Sequence, residues 1–311
     1  MHKSLFFKLF PPPKYMTTRF SGLEISDDAI RCLQYSPSAH GQVISKHDQV
    51  LLPDDTIFGG DIKNEPILID LLKKFVKKND LNYVSVSIPE EKAYLFQMDV
   101  VGDSKKDISQ NIEFKLEENV PLSAKDAVFY FDLMPLEVTN GVLRASVSVV
   151  PRTYVEKQIS LLESVGLSPI AFEVVPKSIA RVALDNDPKN TSMIIHVMKN
   201  KTGIHIVSEG VVCFTSTVIL GDGKSLFQQI ENTVKYWSSH LGAMINNVVL
   251  AGSSAEQYEE GIPSALVGIQ NCSVTIVNTW SNALNLELYT PPVSKFDSLD
   301  YVVVAGLALD Q

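Results

Sequence analysis

The sequence predicts an α/β protein with two lobes, on the basis of three observations. First, 311 residues, 45% of them hydrophobic, can bury a large core, and this length is typical of two domains or one bilobal domain. Second, short apolar runs that indicate strands alternate with amphipathic segments that indicate helices. Third, three strands followed by a helix occur after residue 20 and again after residue 192, which indicates an internal duplication.

The first lobe is predicted to open with a three-stranded meander and a helix. Between Ile67 and Val76, apolar residues recur at i, i+1, i+4, i+5, i+8 and i+9, with lysines on the opposite face. This spacing gives the helix one apolar face, which we expect to pack on the sheet. The predicted elements are strands Phe20 to Ile25, Ile30 to Tyr35 and Gln42 to Leu52, helix Glu65 to Lys78 and strand Tyr83 to Ile88.

The next segment is predicted to add a strand, a helix and a pair of strands. Asn140-Gly141 is a strong hairpin signal between the paired strands. Pro151 suits the first position of the following helix, and Gly166 suits a left-handed cap at its end. The predicted elements are strand Ala93 to Val100, helix Asp107 to Asn119, strands Ala127 to Leu136 and Val142 to Val150, a helix from Pro151, strand Ile170 to Val175 and helix Pro176 to Leu184.

A polar turn at residues 185 to 188 is the predicted boundary between the lobes. The second lobe then repeats the meander and helix, and Ser298 is a predicted N-cap for the last apolar segment. The predicted elements are strands Met193 to Met198, Gly203 to Val207 and Val211 to Val218, helix Gly223 to His240, strands Val248 to Ala251 and Val274 to Val277, and the segment Tyr301 to Leu309.

Composition argues against several classes of function. A formal charge of −9 gives no general attraction to nucleic acid, whose binding depends on Lys and Arg. Cys32, Cys213 and Cys272 are odd in number and far apart, so we expect buried thiols in a reducing cytoplasm rather than disulfides or a zinc site. The longest apolar run, Tyr301 to Leu309, is shorter than the ~18 residues that a membrane-spanning helix needs. We therefore expect that the protein does not bind nucleic acid and has no membrane-spanning helix.

The N-terminal residues depart from the acidic average. Four basic residues precede the first acid, Glu24, and residues 1–10 also carry five leucine and phenylalanine side chains. A helix there would place apolar residues on one face, as in peptides that contact a membrane surface. Pro11 to Pro13 would end that helix. Two interpretations stay open: contact with a membrane surface, or a frayed terminus or docked strand without such a role.

Several segments in a fixed order resemble a known family. They include Phe20 to Ser36 (FSGLEISDDAIRCLQYS), Ile112 to Leu133 (IEFKLEENVPLSAKDAVFYFDL) and Ala145 to Leu184, and two more run from Gly210 to Gly221 and from Leu299 to Leu309. Together they resemble the PilM family of type IV pilus assembly proteins, within the actin-like ATPase superfamily that includes FtsA. The resemblance implies a bilobal actin-like ATPase (ribonuclease H-like) fold, with an inserted FtsA/PilM-type strand-helix-strand-strand subdomain and a reduced second lobe.

The same resemblance implies a division of the chain. The predicted parts are an N-terminal tail and proline linker (1–19), the core of lobe I (20–90), the inserted subdomain (91–170), a return to lobe I (171–186), a reduced lobe II (187–298) and a C-terminal helix (299–311).

In this superfamily two glycine-containing hairpins hold the phosphates of ATP, and an aspartate in each holds the metal shell or activates water. Here Glu24 and Ser26 stand at the aspartate and glycine positions of the first hairpin, and His196 and Met198 at those of the second. The resemblance therefore implies a degenerate nucleotide site. Its candidate residues are Ser26, Asp27, Asp28, Arg31, Lys199, Thr202, Gly203, Gly221, Gly252 and Ser253.

Length points the same way, because only one helix fits between Gly221 and Val248, where related ATPases insert a further subdomain. We expect the hairpins to close the lobe interface and expect no catalysis. Weak binding of Mg-ATP through Arg31, Lys199 and Lys201 stays open. The six histidines have no metal spacing, and no Gly-x-Ser-x-Gly motif is present, so no metal or acyl-transfer site is predicted.

The resemblance implies a function and its partners. It implies a cytoplasmic scaffold, peripheral to the inner membrane, in the platform that assembles type IV pili. The expected ligand is the cytoplasmic tail of a single-pass PilN-like protein, held as an extended peptide in a groove formed within Phe20 to Ile170, and pilus motor ATPases are a second partner class. The alternative is an FtsA-type ATP-binding protein or ATPase of division or the cytoskeleton, which would form filaments.

Overall fold

The computed structural model describes residues 19–39, 41–139, 142–184, 190–219, 223–240, 244–266 and 272–309. The predictions for residues 1–18, for the Asn140-Gly141 turn and for the polar turn at 185–188 lie outside these ranges. No helix within them has the length and apolar character needed to cross a membrane.

The first lobe is built on a five-stranded sheet. Its strands are β1 (Ser21–Ile25), β2 (Ala29–Ser38), β3 (Gly41–Leu51), β6 (Tyr83–Ile88) and β10 (Ser168–Val174), in the order β10-β6-β1-β2-β3. β1 to β3 form the predicted antiparallel meander, and β6 and β10 continue the sheet in parallel. A short hairpin of β4 (Ile57–Phe58) and β5 (Asp61–Ile62) was not predicted, because two-residue strands are too short to show a period.

Helix α1 (Glu65–Asn79) packs on this sheet as its periodicity predicts. Asn64 caps the first turn by accepting from the N–H of Ile67, and the left-handed Asp80 ends the helix. The buried side chains Leu68, Leu72 and Phe75 contact a cluster that includes Leu23 of β1.

The three-stranded sheet between the predicted boundaries has the expected strand-helix-strand-strand order. Its elements are β7 (Tyr94–Val100), α2 (Lys105–Asn119), β8 (Ala127–Thr139) and β9 (Val142–Pro151), and the sheet order β7-β9-β8 leaves β7 and β8 at its two edges. Ile108, Ile112 and Leu116 of α2 pack on it.

Helix α3 (Arg152–Ser164) follows, and it corrects one prediction. Pro151 is the N-cap residue rather than the first helical residue, because it still pairs with Ala127 at the end of β9. At the other end Gly166 has φ +86° and closes the helix with Leu167, as predicted. Leu161 and Leu162 bury their side chains with the first sheet.

The second lobe repeats the topology of the first. Its strands are β11 (Thr191–Val197), β12 (Lys201–Ser208), β13 (Val211–Ile219), β14 (Asn247–Ala251) and β15 (Ser273–Ile276), in the order β13-β12-β11-β14-β15. Three antiparallel strands are again followed by two parallel ones, which confirms the predicted duplication. Between β13 and β14 the described residues form one helix, α5 (Gly223–His240), and α6 (Ile262–Ala265) precedes β15.

Two helices connect the lobes. Helix α4 (Val175–Ala183) packs against α7 (Val302–Ala308), and α7 also contacts β1, β2 and β6 of the first sheet. The last apolar segment therefore packs on the first sheet and on α4, and it does not simply complete the second lobe. Ser298 is not its N-cap: a 3-10 helix, Asp297–Tyr301, precedes α7, and the Ser294 hydroxyl accepts from the N–H of Asp297 instead.

Candidate functional site

The turn of the first hairpin, between β1 and β2, is held by contacts within the protein. The Ser26 hydroxyl donates to Oδ1 of Asp28 at 2.6 Å. The Asp27 carboxylate accepts from the backbone N–H groups of Gly59 and Gly60, at 3.0 Å each. Both glycines have positive φ, of 56° and 71°, so their amides can converge on one anion as in a backbone nest. Asp27 is thus the anion that these two amides bind.

Arg31 is the central cation of the cleft, and it is surrounded by carboxylates. Its side chain is 7% exposed and lies 2.9 Å from Oδ2 of Asp28, 3.5 Å from Oε2 of Glu24 and 3.6 Å from Oδ1 of Asp300. Gln49 and Ser26 accept further hydrogen bonds from it at 3.3 Å. These contacts use the N–H donors of the guanidinium, and a bound phosphate would need the same donors.

The second hairpin, between β11 and β12, contributes a second cation that is also paired. Nζ of Lys201 donates to Glu91 and lies 3.7 Å from Oδ2 of Asp27. Lys199 is exposed in the turn. Lys201 therefore connects the second lobe to the first at the point where the two hairpins face each other.

Thr202 and Gly203 follow Lys201 on β12 and lie on opposite faces of the strand. Thr202 is fully buried, and its Oγ1 has no hydrogen-bond partner among the described residues. At Gly203 a Cβ would lie 2.5 Å from Nε2 of His205 and 2.8 Å from Oε1 of Glu90, so a side chain there would displace both groups. The glycine makes room for these two side chains.

The turn at Gly252 and Ser253, two of the predicted nucleotide-site residues, lies against the second hairpin. A Cβ at Gly252 would lie 2.3 Å from the carbonyl oxygen of Val197, and its φ is +91°. Ser254 donates its N–H to that same carbonyl at 3.2 Å. A local backbone contact therefore explains Gly252. Gly221, the third predicted glycine besides Gly203 and Gly252, lies outside the described residues.

The cavity left between the hairpins is about 10 Å³. A single water needs roughly 10–15 Å³, and small-molecule sites are roughly 300–1,000 Å³. The donors and acceptors around it also do not fit Mg-ATP, because three carboxylates surround one arginine. The residues lining it are Glu24, Asp28, Arg31, His196, Met198, Gly252, Ser253, Leu299, Asp300 and Val303.

Burial sets the charge state of this cluster. It raises the pKa of Glu24 to about 7, although Arg31 acts in the opposite direction. Burial, with His205 as a smaller cause, lowers the pKa of His196 to about 3, and burial lowers the pKa of His205 to about 3. Both imidazoles are therefore neutral near pH 7, and their contribution to the cleft is packing and hydrogen bonding.

The structure brings five of the predicted residues, Ser26, Asp28, Arg31, Gly252 and Ser253, to this one cleft. Sequence reasoning missed Asp300, Glu90 and Glu91. The two glutamates follow Pro89 at the end of the buried strand β6, and acids placed there are a usable signal because ligands of α/β sheets meet at the carboxyl ends of strands.

A second feature is a groove of about 340 Å³ between β8 and β10. Each strand is at the edge of its sheet, and residues 128–130 and 172–174 form facing walls. Lys177 lies 4.0 Å from the ring centroid of Tyr130 and 2.8 Å from Oδ2 of Asp132, so a fixed cation lines the groove. Glu173 and Ser148 are further polar groups in a mainly apolar lining. The apolar lining includes Ile88, Val128, Val150, Val155 and Phe172.

Comparison with solved structures places the chain among actin-like ATPase folds. It matches the PilM-PilN type IV pilus biogenesis complex with a TM-score of 0.76 and 16% identity, over 94% of this chain and 98% of that chain. It matches the ethanolamine utilization protein EutJ from Carboxydothermus hydrogenoformans with a TM-score of 0.50 and 11% identity, over 94% and 89%. A Bacteroides thetaiotaomicron protein with an actin-like ATPase fold gives 0.48 and 12%, over 87% and 93%. At these identities the matches with the PilM-PilN complex and with EutJ establish the fold.

The family rests on a separate comparison. No curated protein sequence matches the chain significantly. The sequence profile described as type IV pilus assembly protein PilM matches residues 22–235, from β1 to α5, which is more than half of the chain. This agrees with the resemblance seen in the segments Phe20 to Ser36 and Ile112 to Leu133. The protein therefore belongs to the PilM family of type IV pilus assembly proteins and has the bilobal actin-like fold with its three-stranded insert.

Proposed function

We propose that this protein is a non-catalytic scaffold of the inner-membrane platform for type IV pilus assembly, located in the cytoplasm and peripheral to the membrane. Its ligand is the cytoplasmic tail of a single-pass PilN-like protein, bound as an extended peptide in the groove between β8 and β10. The groove between two sheet edges is the observation that carries this proposal.

The groove suits an extended peptide for two reasons. Edge strands carry main-chain N–H and C=O groups that can pair with an added strand. The apolar side chains between the edges provide pockets for alternate residues of such a strand. The structure named as a PilM-PilN complex, which shares this fold, supports a PilN-like partner. Phe172 and Lys177 extend the groove beyond the predicted range Phe20 to Ile170.

The cleft geometry supports the non-catalytic part of the proposal. Both cations that face the hairpins are already paired, Arg31 with three carboxylates and Lys201 with Glu91 and Asp27. The remaining cavity is too small for a nucleotide. We therefore propose that the nucleotide site is degenerate and that side chains of the protein itself now hold the lobes together there.

Peptide binding tests the groove directly. A fluorescent synthetic peptide with the cytoplasmic tail of the PilN-like protein from the same genome is titrated with purified full-length protein, and anisotropy gives Kd. Val128→Arg, which places a charge and extra volume in the groove, is expected to weaken binding at least tenfold. Val101→Arg is the matched control, because Val101 is 51% exposed and lies outside the groove, and it is expected to stay within twofold.

Three results would count against this proposal. Failure of the wild-type protein to bind the peptide would contradict the partner, and equal effects of the two arginine substitutions would contradict the groove. We expect no heat of binding when the protein is titrated with millimolar Mg-ATP in a calorimeter. A measurable heat of binding would contradict the degenerate site.

The N-terminal residues and the motor ATPases complete the proposal. The basic and aromatic residues 1–10 are proposed to contact the membrane surface, and pilus motor ATPases are proposed as partners through the platform. Deletion of Met1 to Phe10 is expected to release the protein from anionic liposomes in a sedimentation assay, with neutral liposomes as the control. If the deletion variant sedimented with anionic liposomes as the wild-type protein does, these residues would not be the membrane-binding segment.

A further inference from the structure

A cavity of about 400 Å³ lies between the lobes, away from the groove of β8 and β10. Its walls are residues 94–96 of β7 and 215–217 of β13, and both strands are at the edges of their sheets. Within the described ranges no backbone hydrogen bond joins β7 to β13. Gln97 of β7 donates to the carbonyl of Cys213, and Ser146 of the neighbouring strand β9 donates to that of Val212. Two sheet edges that are not paired with each other therefore face the cavity.

One part of this cavity is acidic and has unsatisfied polar groups. Glu90 is 5% exposed, lines the cavity and has no hydrogen-bond partner for Oε1 in the described part of the chain. His205 is fully buried; its Nδ1 bonds with Oγ1 of Thr215 at 2.9 Å, but its Nε2 has no partner there either. Both unpaired atoms lie within 2.8 Å of where a Cβ on Gly203 would be.

Unsatisfied buried groups of this kind are uncommon in native proteins. Each lowers the stability of the fold, and their presence points to a water, an ion or a ligand group that completes the site. Here the two atoms come from different lobes, since Glu90 follows β6 and His205 is on β12. A ligand that satisfied Glu90 would therefore bind where the lobes meet.

The charge around Glu90 favours a cation as that ligand group. Three carboxylates, those of Glu90, Glu91 and Asp27, face the single ammonium of Lys201, which contacts Glu91 and lies 3.7 Å from Asp27. Burial raises the pKa of Glu90 and so favours its uncharged form, and Lys201 offsets this only in part. A second cation beside Glu90 would favour the carboxylate. A second cation would leave the cluster closer to neutral, because each cation would then face fewer carboxylates.

We propose that the space between β7 and β13 is a second peptide-binding groove, which takes an extended segment of a partner protein and holds a lysine or arginine side chain of that segment against Glu90 and Glu91. The segment pairs with the edge of β7 or β13 and passes the hydroxyls of Thr215 and Thr217. Because β7 and β8 are opposite edges of the three-stranded sheet, the PilN-like tail and this second segment can bind together. This inference does not depend on the first groove or its ligand.

Selection of peptides by phage display tests the proposal. Random heptapeptides on phage are selected on the immobilised full-length protein, and the enriched peptides are synthesised for Kd measurements by anisotropy. We expect a shared lysine or arginine among β-branched and aromatic residues. Glu90→Gln is expected to weaken their binding at least tenfold, and Glu118→Gln, at an exposed acid on α2, is expected to leave it within twofold.

A double-mutant cycle assigns the contact. Replacing the cationic residue of the peptide with norleucine should cost at least tenfold on the wild type and less than twofold on the Glu90→Gln variant. Thr217→Phe fills the groove from the β13 side and should also abolish binding. This second variant tests the proposal independently if Glu90→Gln folds poorly. Val128→Arg should have no effect.

Other outcomes would overturn the proposal. They are no enrichment of cationic peptides, affinities that do not depend on Glu90 and Thr217, or binding that Val128→Arg removes, which would assign the peptides to the groove of β8 and β10.

Discussion

Arg31→Met is expected to lower the free energy of unfolding by roughly 3–5 kcal/mol, the cost of leaving buried charges without their partner. The substitution keeps an unbranched side chain of similar reach but removes the only cation within salt-bridge distance of Glu24 in the described part of the chain. Glu24 is 5% exposed, and Asp28 and Asp300 approach the same guanidinium, so above the pKa of Glu24 three carboxylates would lie close together without a cation. Urea unfolding followed by circular dichroism measures the loss.

The loss should depend on pH in a defined direction. Burial already raises the pKa of Glu24 from 4.5 to about 7 in the folded protein, and loss of Arg31 removes a cause that lowers it. A carboxyl whose folded pKa exceeds its unfolded pKa stabilises the fold below the unfolded value, and that contribution is lost as pH rises through the folded value. Arg31→Met should therefore cost more at pH 8 than at pH 5.5.

Two further variants make this prediction specific. Combining Arg31→Met with Glu24→Gln should recover part of the stability and remove most of the pH difference, because the most buried carboxylate is gone. Arg144→Met is the control, since Arg144 forms a more exposed ion pair with Asp99 at 3.2 Å and should cost no more than about 1 kcal/mol. An equal loss in Arg31→Met and Arg144→Met would contradict the central role of Arg31.

Gly306→Ala is expected to be the second severe substitution, with a loss of at least about 3 kcal/mol, the upper end of the cost of overpacking. A Cβ at Gly306 would lie 1.9 Å from the carbonyl oxygen of Ser178, so α7 and α4 would have to separate. Helix propensity alone predicts the opposite sign, a gain of about 1 kcal/mol for alanine over glycine in a helix. The measured sign therefore distinguishes packing from propensity.

The atom that a Cβ on Gly306 would contact is the main-chain oxygen of Ser178. Because that atom belongs to the main chain of Ser178, adding Ser178→Gly should not rescue Gly306→Ala. Gln110→Ala, at an exposed position of α2, is the control and should change stability by less than about 0.5 kcal/mol. Thermal unfolding gives the comparison, and a melting temperature at or above that of the wild type for Gly306→Ala would refute the close contact of α4 with α7.

Much of the fold could be predicted from local patterns. The meanders, the helices Glu65–Asn79 and Gly223–His240 and the insert all have clear periodicity, because side chains that share a face are close in sequence. The duplication was visible for the same reason. Besides the missed hairpin of β4 and β5, errors were at element ends. β2 and β8 run past the predicted Tyr35 and Leu136, since pairing with a neighbouring strand, not composition, sets where a strand stops.

The candidate site was predicted only in part. The sequence predicted that Ser26, Asp28 and Arg31 would share one cleft, because a known motif marks their positions, and these three residues do lie together. The mismatches at Glu24 and His196 led us to predict a degenerate site, which stays a prediction. The partners of these residues were not found. Asp300 approaches Arg31 from the other end of the chain, and Gly59 and Gly60 bind Asp27 from a hairpin that has no sequence period.

The sequence by itself determined the order of elements, the duplicated topology and the family, because each of these depends on neighbours along the chain or on motifs in a fixed order. The tertiary structure alone decided that Lys201 pairs with Glu91, that the cavity between the two hairpins is about 10 Å³, and that sheet edges meet to form two grooves. These features depend on how two lobes and an insert are packed against each other. That packing sums many weak contacts between residues far apart in the chain, and no local pattern records it.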